Sequence, residues 1–217
     1  MFNSFFVILS YFLGSIPFGY IFSKMSGKNA LAIGWRKTSG SNVFKNVGVW
    51  QGILTGVGDI FKGFLAVYLA KAFDLPVAYQ VLCGVAAVTG HNWSIFLRFA
   101  GGRGVGTMIG AFLLIQPQAL GLAVIPLLAL AVIWDAAIGT IFFLVISLIV
   151  SFKMGSVETA GIFTVFCFIP IALKRLSPFK ELSFKNSAKI WNRLIFDDDV
   201  PDFNFRIKRV AKALTKR

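Results

Sequence analysis

Residues 90–107 read GHNWSIFLRFAGGRGVGT and carry the single histidine of the chain, His91, with Arg98, Arg103 and a Gly-Gly-Arg-Gly turn between long apolar runs. Four of the six residues 101–106 are glycine (Gly101, Gly102, Gly104, Gly106), which leaves the backbone bare and free to take positive φ. Such a turn lets N–H groups converge on an anion, and residues from Val105 onward read as a helix whose N-terminus faces the same point. Arg98 and Arg103 add fork-shaped cations suited to phosphate oxygens. His91 and Arg98 are seven apart, about two turns along one helical face. The same residues also read as a helix–helix turn with interfacial arginines, and turn chemistry alone does not separate the two.

The surroundings are those of a membrane protein. The chain has 217 residues, 57% hydrophobic and only 14% charged, against about 25% charged in ordinary soluble domains, with a mean hydropathy of +0.76. Apolar segments at 2–22, 52–73, 76–97, 105–115, 120–134, 137–150 and 156–173 predict an all-α polytopic integral membrane protein of about seven transmembrane helices. The first run lacks a basic n-region and a small-residue cleavage site, so it reads as a retained span. Residues 14–20, GSIPFGY, put a proline and two glycines in its second half, where a bend and a close helix approach are expected. Residues 174–217 read as a separate basic tail, with a surface amphipathic helix expected over 206–217. Cys83 and Cys167 lie in apolar runs without metal-type spacing, so no metal site is expected.

The net charge of +13 is distributed by topology. Residues 174–217 hold 12 of the 22 basic residues, and the loop 24–48 holds five with no acid. With the N-terminus outside, the loops at 24–51, 98–104 and 135–136 and the tail face the cytoplasm, while the opposite loops carry only Lys71 and Lys153. Cations beside membrane spans are explained by this rule, so no nucleic-acid partner is inferred. The bilayer is the expected partner, and the sequence leaves the oligomeric state open.

Two further features point to a site. The loop 24–48 is longer than a connection needs, and its TSGSN run (38–42) offers hydroxyls, an amide and bare backbone amid cations. It reads as an anion site or as a topology-fixing loop. Asp59 and Lys62, three apart within a span, can meet on one helix face, and ionisable residues there mark a bundle interior or a site.

In order, GSIPFGY, SNVFKNVG (41–48), VGDIFKG (57–63) and GHNWSIFLRFAGGRGVGT resemble the bacterial acyl-phosphate-dependent glycerol-3-phosphate acyltransferases over roughly residues 10–175. The family's third motif, GH-x-F-P-x-F-x-x-F-K-G-G-K-G-V-A-T, is matched at His91, Phe96, Phe99, Gly101, Gly102, Gly104, Val105 and Thr107, with Arg103 in place of a lysine. The first-loop motif departs: in GWRKTSGSNVFK (34–45), Trp35 stands where the family has serine and Lys45 where it has arginine. In the tail, the family's Asn before Arg-Leu and then Gly-Thr-Glu is reduced to Arg193-Leu194 before the acids at 197–199.

The resemblance implies acyl transfer from a fatty acyl phosphate to glycerol 3-phosphate, giving lysophosphatidic acid for phospholipid synthesis, at the cytoplasmic face of the bacterial inner membrane and with no cofactor. It implies catalytic roles for His91, Ser41 and Lys45. Phosphate contacts fall to Asn42, Arg98, Gly101, Gly102, Arg103, Gly104 and Thr107, supported by Asp59 and Lys62. A non-enzymatic membrane protein binding or transporting phosphorylated metabolites or anionic lipid is the alternative, as is a related acyltransferase with another donor. No internal repeat of the transporter kind is found.

Overall fold

The computed structural model describes residues 2–179 and 187–198, and every regular element among them is helical. The α-helices are α1 (Phe2–Ser15), α2 (Phe18–Met25), α3 (Gly40–Asn46), α4 (Val49–Ala72), α5 (Val77–Asn92), α6 (Val105–Ile115), α7 (Pro117–Ile133), α8 (Ala136–Lys153), α9 (Ile162–Leu176) and α10 (Ser187–Phe196). A π-helical turn, Val157–Gly161, leads into α9.

Four stretches are long and apolar enough to cross a membrane: Phe2–Met25, Val49–Ala72, Ala136–Lys153 and Val157–Leu176. α6 and α7, of 11 and 17 residues, are apolar but shorter. The first of the four is not one straight helix. Pro17 has no N–H to continue the ladder, so the chain restarts there, with Tyr20 and Ile21 both donating to the Pro17 carbonyl at 3.0 Å. The third apolar segment ends at Asn92 rather than at 97.

Small residues set the crossings. α1 lies against α5, where a side chain on Gly14 or Gly90 would overlap the backbone of Ala87 or Tyr11. α4 lies against α6, where Gly63 meets the Thr107 carbonyl and Gly110 meets that of Ile60. Close backbone approach of this kind is how apolar helices associate where lipid offers no hydrophobic drive. The interior is filled by Phe112, Phe143 and Phe163, with Phe112 and Phe163 stacked at 5.5 Å. Large apolar side chains such as Phe61, Ile125, Val132 and Phe152 face outward, a belt suited to acyl chains and unsuited to water.

Two polar segments fold back onto the bundle. α3 packs on α4, with Lys28 Nζ donating to the Asn46 and Val47 carbonyls at 3.1 and 3.0 Å to close its end. α10 packs on α8 and α9. Arg193 Nη1 donates to the Leu176 and Pro178 carbonyls, both at 3.1 Å, and Arg175 Nη1 donates to the Leu194 carbonyl at 2.5 Å. The amphipathic helix expected at 206–217 lies outside the described residues.

Candidate active site

Asp59 and Lys62 meet across one turn of α4 at 3.0 Å, both buried. His91, one residue before the end of α5, brings Nδ1 to 3.3 Å from the same Asp59 Oδ1. Lys62 Nζ also donates to the Ile16 carbonyl at 3.0 Å, an acceptor that the break at Pro17 leaves available. The carboxylate thus neutralises a buried lysine and orients the imidazole, favouring the tautomer with its proton on Nδ1 and a lone pair on Nε2. Nε2 lies against Gly102, where any side chain would overlap the ring.

The glycine turn is closed onto the end of α5. After a 3-10 turn at Ile95–Leu97, Arg98 and Phe99 both take left-handed backbone, at φ 52° and 63°. Phe99 N–H then donates to the Ser94 carbonyl at 2.8 Å and Gly102 N–H to the His91 carbonyl at 3.1 Å. Ser94 Oγ donates to the Ser15 carbonyl at 2.6 Å, and Thr38 N–H reaches the Gly101 carbonyl at 3.3 Å, tying the first loop to this turn. Gly104, at φ 81°, turns the chain into α6, which starts at Val105 as the sequence predicts.

Two expectations are corrected here. The Gly102 amide is spent on the His91 carbonyl instead of facing an anion. Arg98 does not share a helical face with His91, because α5 stops at Asn92; it is exposed on the turn.

On the other side of Gly101 lies a cavity of about 310 Å³ whose lining includes Trp35, Lys37, Gly101, Lys174, Arg175 and Asp197. Arg103 stacks on the Trp35 ring, 4.7 Å from its centroid, and is ion-paired with Asp197. Lys37 Nζ contacts the other oxygen of Asp197 at 2.6 Å. Burial holds the Lys37 amine below the usual lysine range; Asp197 opposes that shift and Arg103 adds to it. Lys174 lies 5.6 Å from the Trp93 ring centroid, and Arg175 Nη2 donates to the Ala137 carbonyl at 2.8 Å. Cations from the first loop, α9 and α10 therefore line one polar hollow, and Arg103 of the glycine turn is joined to it through Asp197; a phosphate there would be held by charge-assisted bonds. Gly101 lines this hollow, and its neighbour Gly102 lies against His91 Nε2.

The other expected residues are dispersed. Asn42, placed among the phosphate contacts by the resemblance, is fully buried and its amide is consumed by the loop. Nδ2 donates to the Ala30, Ile33 and Lys37 carbonyls at 3.2, 3.3 and 2.8 Å, and Oδ1 accepts from Trp35 N–H at 3.0 Å. It is a staple for loop backbone that needs partners once buried. Ser41 is exposed, 3.4 Å from Ser39 Oγ. Lys45 is exposed and lies over the Trp35 ring at 5.0 Å; neither lines the hollow. Thr107 is buried at the crossing with α4. Sequence reasoning missed Lys37, Lys174, Arg175 and Asp197. Lys37 is one of five cations in a loop that reads as an anion site or a topology-fixing loop, Lys174 and Arg175 read as the basic flank of the last span, and the one usable signal for Asp197 is an acidic cluster inside an otherwise basic tail.

Residues 4–183 match the family model described as glycerol-3-phosphate acyltransferase. The glycerol-3-phosphate acyltransferase of Endomicrobium trichonymphae is 32% identical over 190 residues, 85% of this chain and 94% of that protein. That of Thermosipho melanesiensis is 39% identical over 111 residues, 51% of this chain and 54% of that protein. The fold is that of a solved integral membrane glycerol 3-phosphate acyltransferase, PlsY, in its glycerol 3-phosphate form, with a TM-score of 0.71 at 24% identity over 87% of this chain and 98% of that one. Its lysophosphatidic acid form aligns with a TM-score of 0.68 over 85% of this chain and 96% of that one. By that match over most of its length, and with its outward apolar belt and motif-bearing glycine turn, this chain belongs to the glycerol-3-phosphate acyltransferase family of integral membrane proteins.

Proposed function

We propose that the protein transfers the acyl group of a fatty acyl phosphate to the 1-hydroxyl of glycerol 3-phosphate, releasing lysophosphatidic acid and inorganic phosphate. The observation that carries this reading is that a cation-lined hollow and a histidine paired with a carboxylate both adjoin the Gly101-Gly102 turn, Gly101 lining the hollow and Gly102 lying against His91 Nε2. Both substrates are anionic phosphates, and cations already in place inside a partly dry site stabilise them far better than water does. Lys37, Arg103, Lys174 and Arg175 hold phosphate. His91 accepts the hydroxyl proton through Nε2 or orients the leaving phosphate that takes it, and Asp59 fixes the ring. Ser41, Lys45 and Arg98, exposed and outside the lining of the hollow, act on entry.

The reaction needs no protein nucleophile, because the acyl phosphate carries its own leaving group. Carbonyl carbon and hydroxyl oxygen form the new ester as the acyl–phosphate bond breaks, and the proton leaves with the base. The membrane arrangement that fits the charge distribution has seven apolar segments, the N-terminus outside and the tail 174–217 in the cytoplasm of a bacterial cell. The hollow then opens where glycerol 3-phosphate is available.

The test is incubation of the purified chain with palmitoyl phosphate and glycerol 3-phosphate, following phosphate and lysophosphatidate together. Equal release of both is expected. Product with an acyl thioester but none with acyl phosphate identifies a different donor, and no product with either overturns the reading.

A further inference from the structure

Asp197 occupies an unusual place for an acid. It follows the last residue of α10 with φ 54°, a left-handed position that glycine fills at least cost and asparagine tolerates. Its side chain is wholly buried, 0% exposed. Oδ1 lies 2.6 Å from Lys37 Nζ, and Oδ2 is paired with Arg103. These two cations come from different loops, and Lys174 and Arg175 line the same hollow. The segment bearing the acid is itself pinned. Asp197 N–H donates to the Arg193 carbonyl at 3.0 Å, Arg175 donates to the Leu194 carbonyl within α10, and Arg193 donates to the Leu176 carbonyl at the end of α9. An acid whose two oxygens bridge a lysine and an arginine in the wall of a cation-lined hollow has the arrangement of a bound phosphate.

We propose that the Asp197 carboxylate is a built-in competitor for the phosphate position between Lys37 and Arg103. Substrate phosphate enters by displacing it, and the acid thereby makes the site selective for dianions. This deepens the reading of the hollow as a phosphate site and rests on it. A phosphate dianion brings twice the charge and a third oxygen, enough to exchange for a tethered carboxylate; a monoanionic carboxylate ligand offers only what Asp197 already supplies. The apparent affinity of a site is reduced by the fraction of time it is unavailable, so a carboxylate in place about nine-tenths of the time weakens phosphate binding about tenfold.

The experiment is calorimetric titration of the full-length protein in detergent with glycerol 3-phosphate, inorganic phosphate and glycerate, the carboxylate analogue. It compares wild type, Asp197→Asn and Asp197→Gly. Asparagine keeps the size and tolerates the backbone; glycine relieves the backbone, so one folded variant is enough. The expected result is about tenfold tighter binding of both phosphates, with measurable glycerate binding only in the variants. The gain should vanish when Lys37→Ala is added. Unchanged or weaker phosphate binding in a folded variant overturns the proposal and makes Asp197 an organiser of the two cations. Absence of glycerol 3-phosphate and phosphate binding in all three proteins also overturns it. Tighter variant binding without acyl transfer by wild type sinks the acyltransferase reading alone.

Discussion

His91 Nδ1 and Lys62 Nζ share a single oxygen of Asp59, at 3.3 and 3.0 Å, inside the bundle. One carboxylate thus does two jobs that substitution can separate. Asp59→Asn leaves Lys62 buried without a countercharge, which costs about 3–5 kcal/mol and lowers the melting temperature. Adding Lys62→Met removes the orphaned charge and should restore most of the stability. It should not restore acyl transfer, because the imidazole still lacks its orienting carboxylate. A double variant with both wild-type melting temperature and wild-type rate would show that Asp59 is only the partner of Lys62.

Gly102 presses on the other ring nitrogen of that histidine. The Cβ of Gly102→Ala would overlap Nε2, and the ring, held at Nδ1, must rotate or withdraw. The expected effect is a fall in kcat of about 10²-fold, the lower range for a positioned acid–base group, with KM for glycerol 3-phosphate little changed. A parallel fall in melting temperature large enough to unfold the protein at assay temperature would mean that the glycine serves packing instead.

How much of this was legible in the sequence follows from whether an interaction is local. The start of α6 at Val105 and the meeting of Asp59 with Lys62 depend on a turn and on i,i+3 spacing, and both can be counted along the chain. The relation of His91 to Arg98 fails because the count assumed a helix that stops at Asn92. Asn42 reads as a ligand from its polar neighbourhood, yet its valences are needed by the carbonyls of its own loop. Lys37 and Asp197 are 160 residues apart; they meet only because α10 folds back on α8 and α9, and no periodicity encodes that return. Lys174 and Arg175 look like the basic flank of a last span, which hid their place beside the hollow.

Lys37 sets a pH dependence. Burial depresses its folded-state pKa below that of the unfolded chain, so its charge is a stability cost at any pH below the folded value. That cost is relieved as pH rises through the window between the folded and unfolded values. The neutral amine no longer binds phosphate. Stability and substrate affinity should therefore move in opposite directions across this alkaline window, with glycerol 3-phosphate binding lost earlier than a free lysine would lose it. Lys37→Arg, which does not titrate there, should remove the part of the loss that Lys37 carries and leave only what Lys174, the other lysine of the hollow, contributes. Flat binding in the wild type to the pH at which free lysine titrates would remove Lys37 from the site.

Arg103 stands where the sequence motif has lysine, between the Trp35 ring and Asp197. Arg103→Ala removes a charge-assisted contact of about 1.5–3 kcal/mol, which corresponds to a roughly tenfold to hundredfold loss of glycerol 3-phosphate affinity. It also leaves Asp197 to Lys37 alone, so the apparent loss should shrink when Asp197→Asn is added: the competitor and its second partner leave together. Arg103→Lys keeps the charge and loses the fork and much of the stacking on Trp35, and should recover most of the affinity. An arginine that only anchors the turn predicts a different pattern, in which Ala lowers the melting temperature and the folded remainder binds glycerol 3-phosphate as the wild type does. Binding and melting measured on the same four proteins decide between them, and wild-type affinity in folded Arg103→Ala would take Arg103 out of the phosphate site.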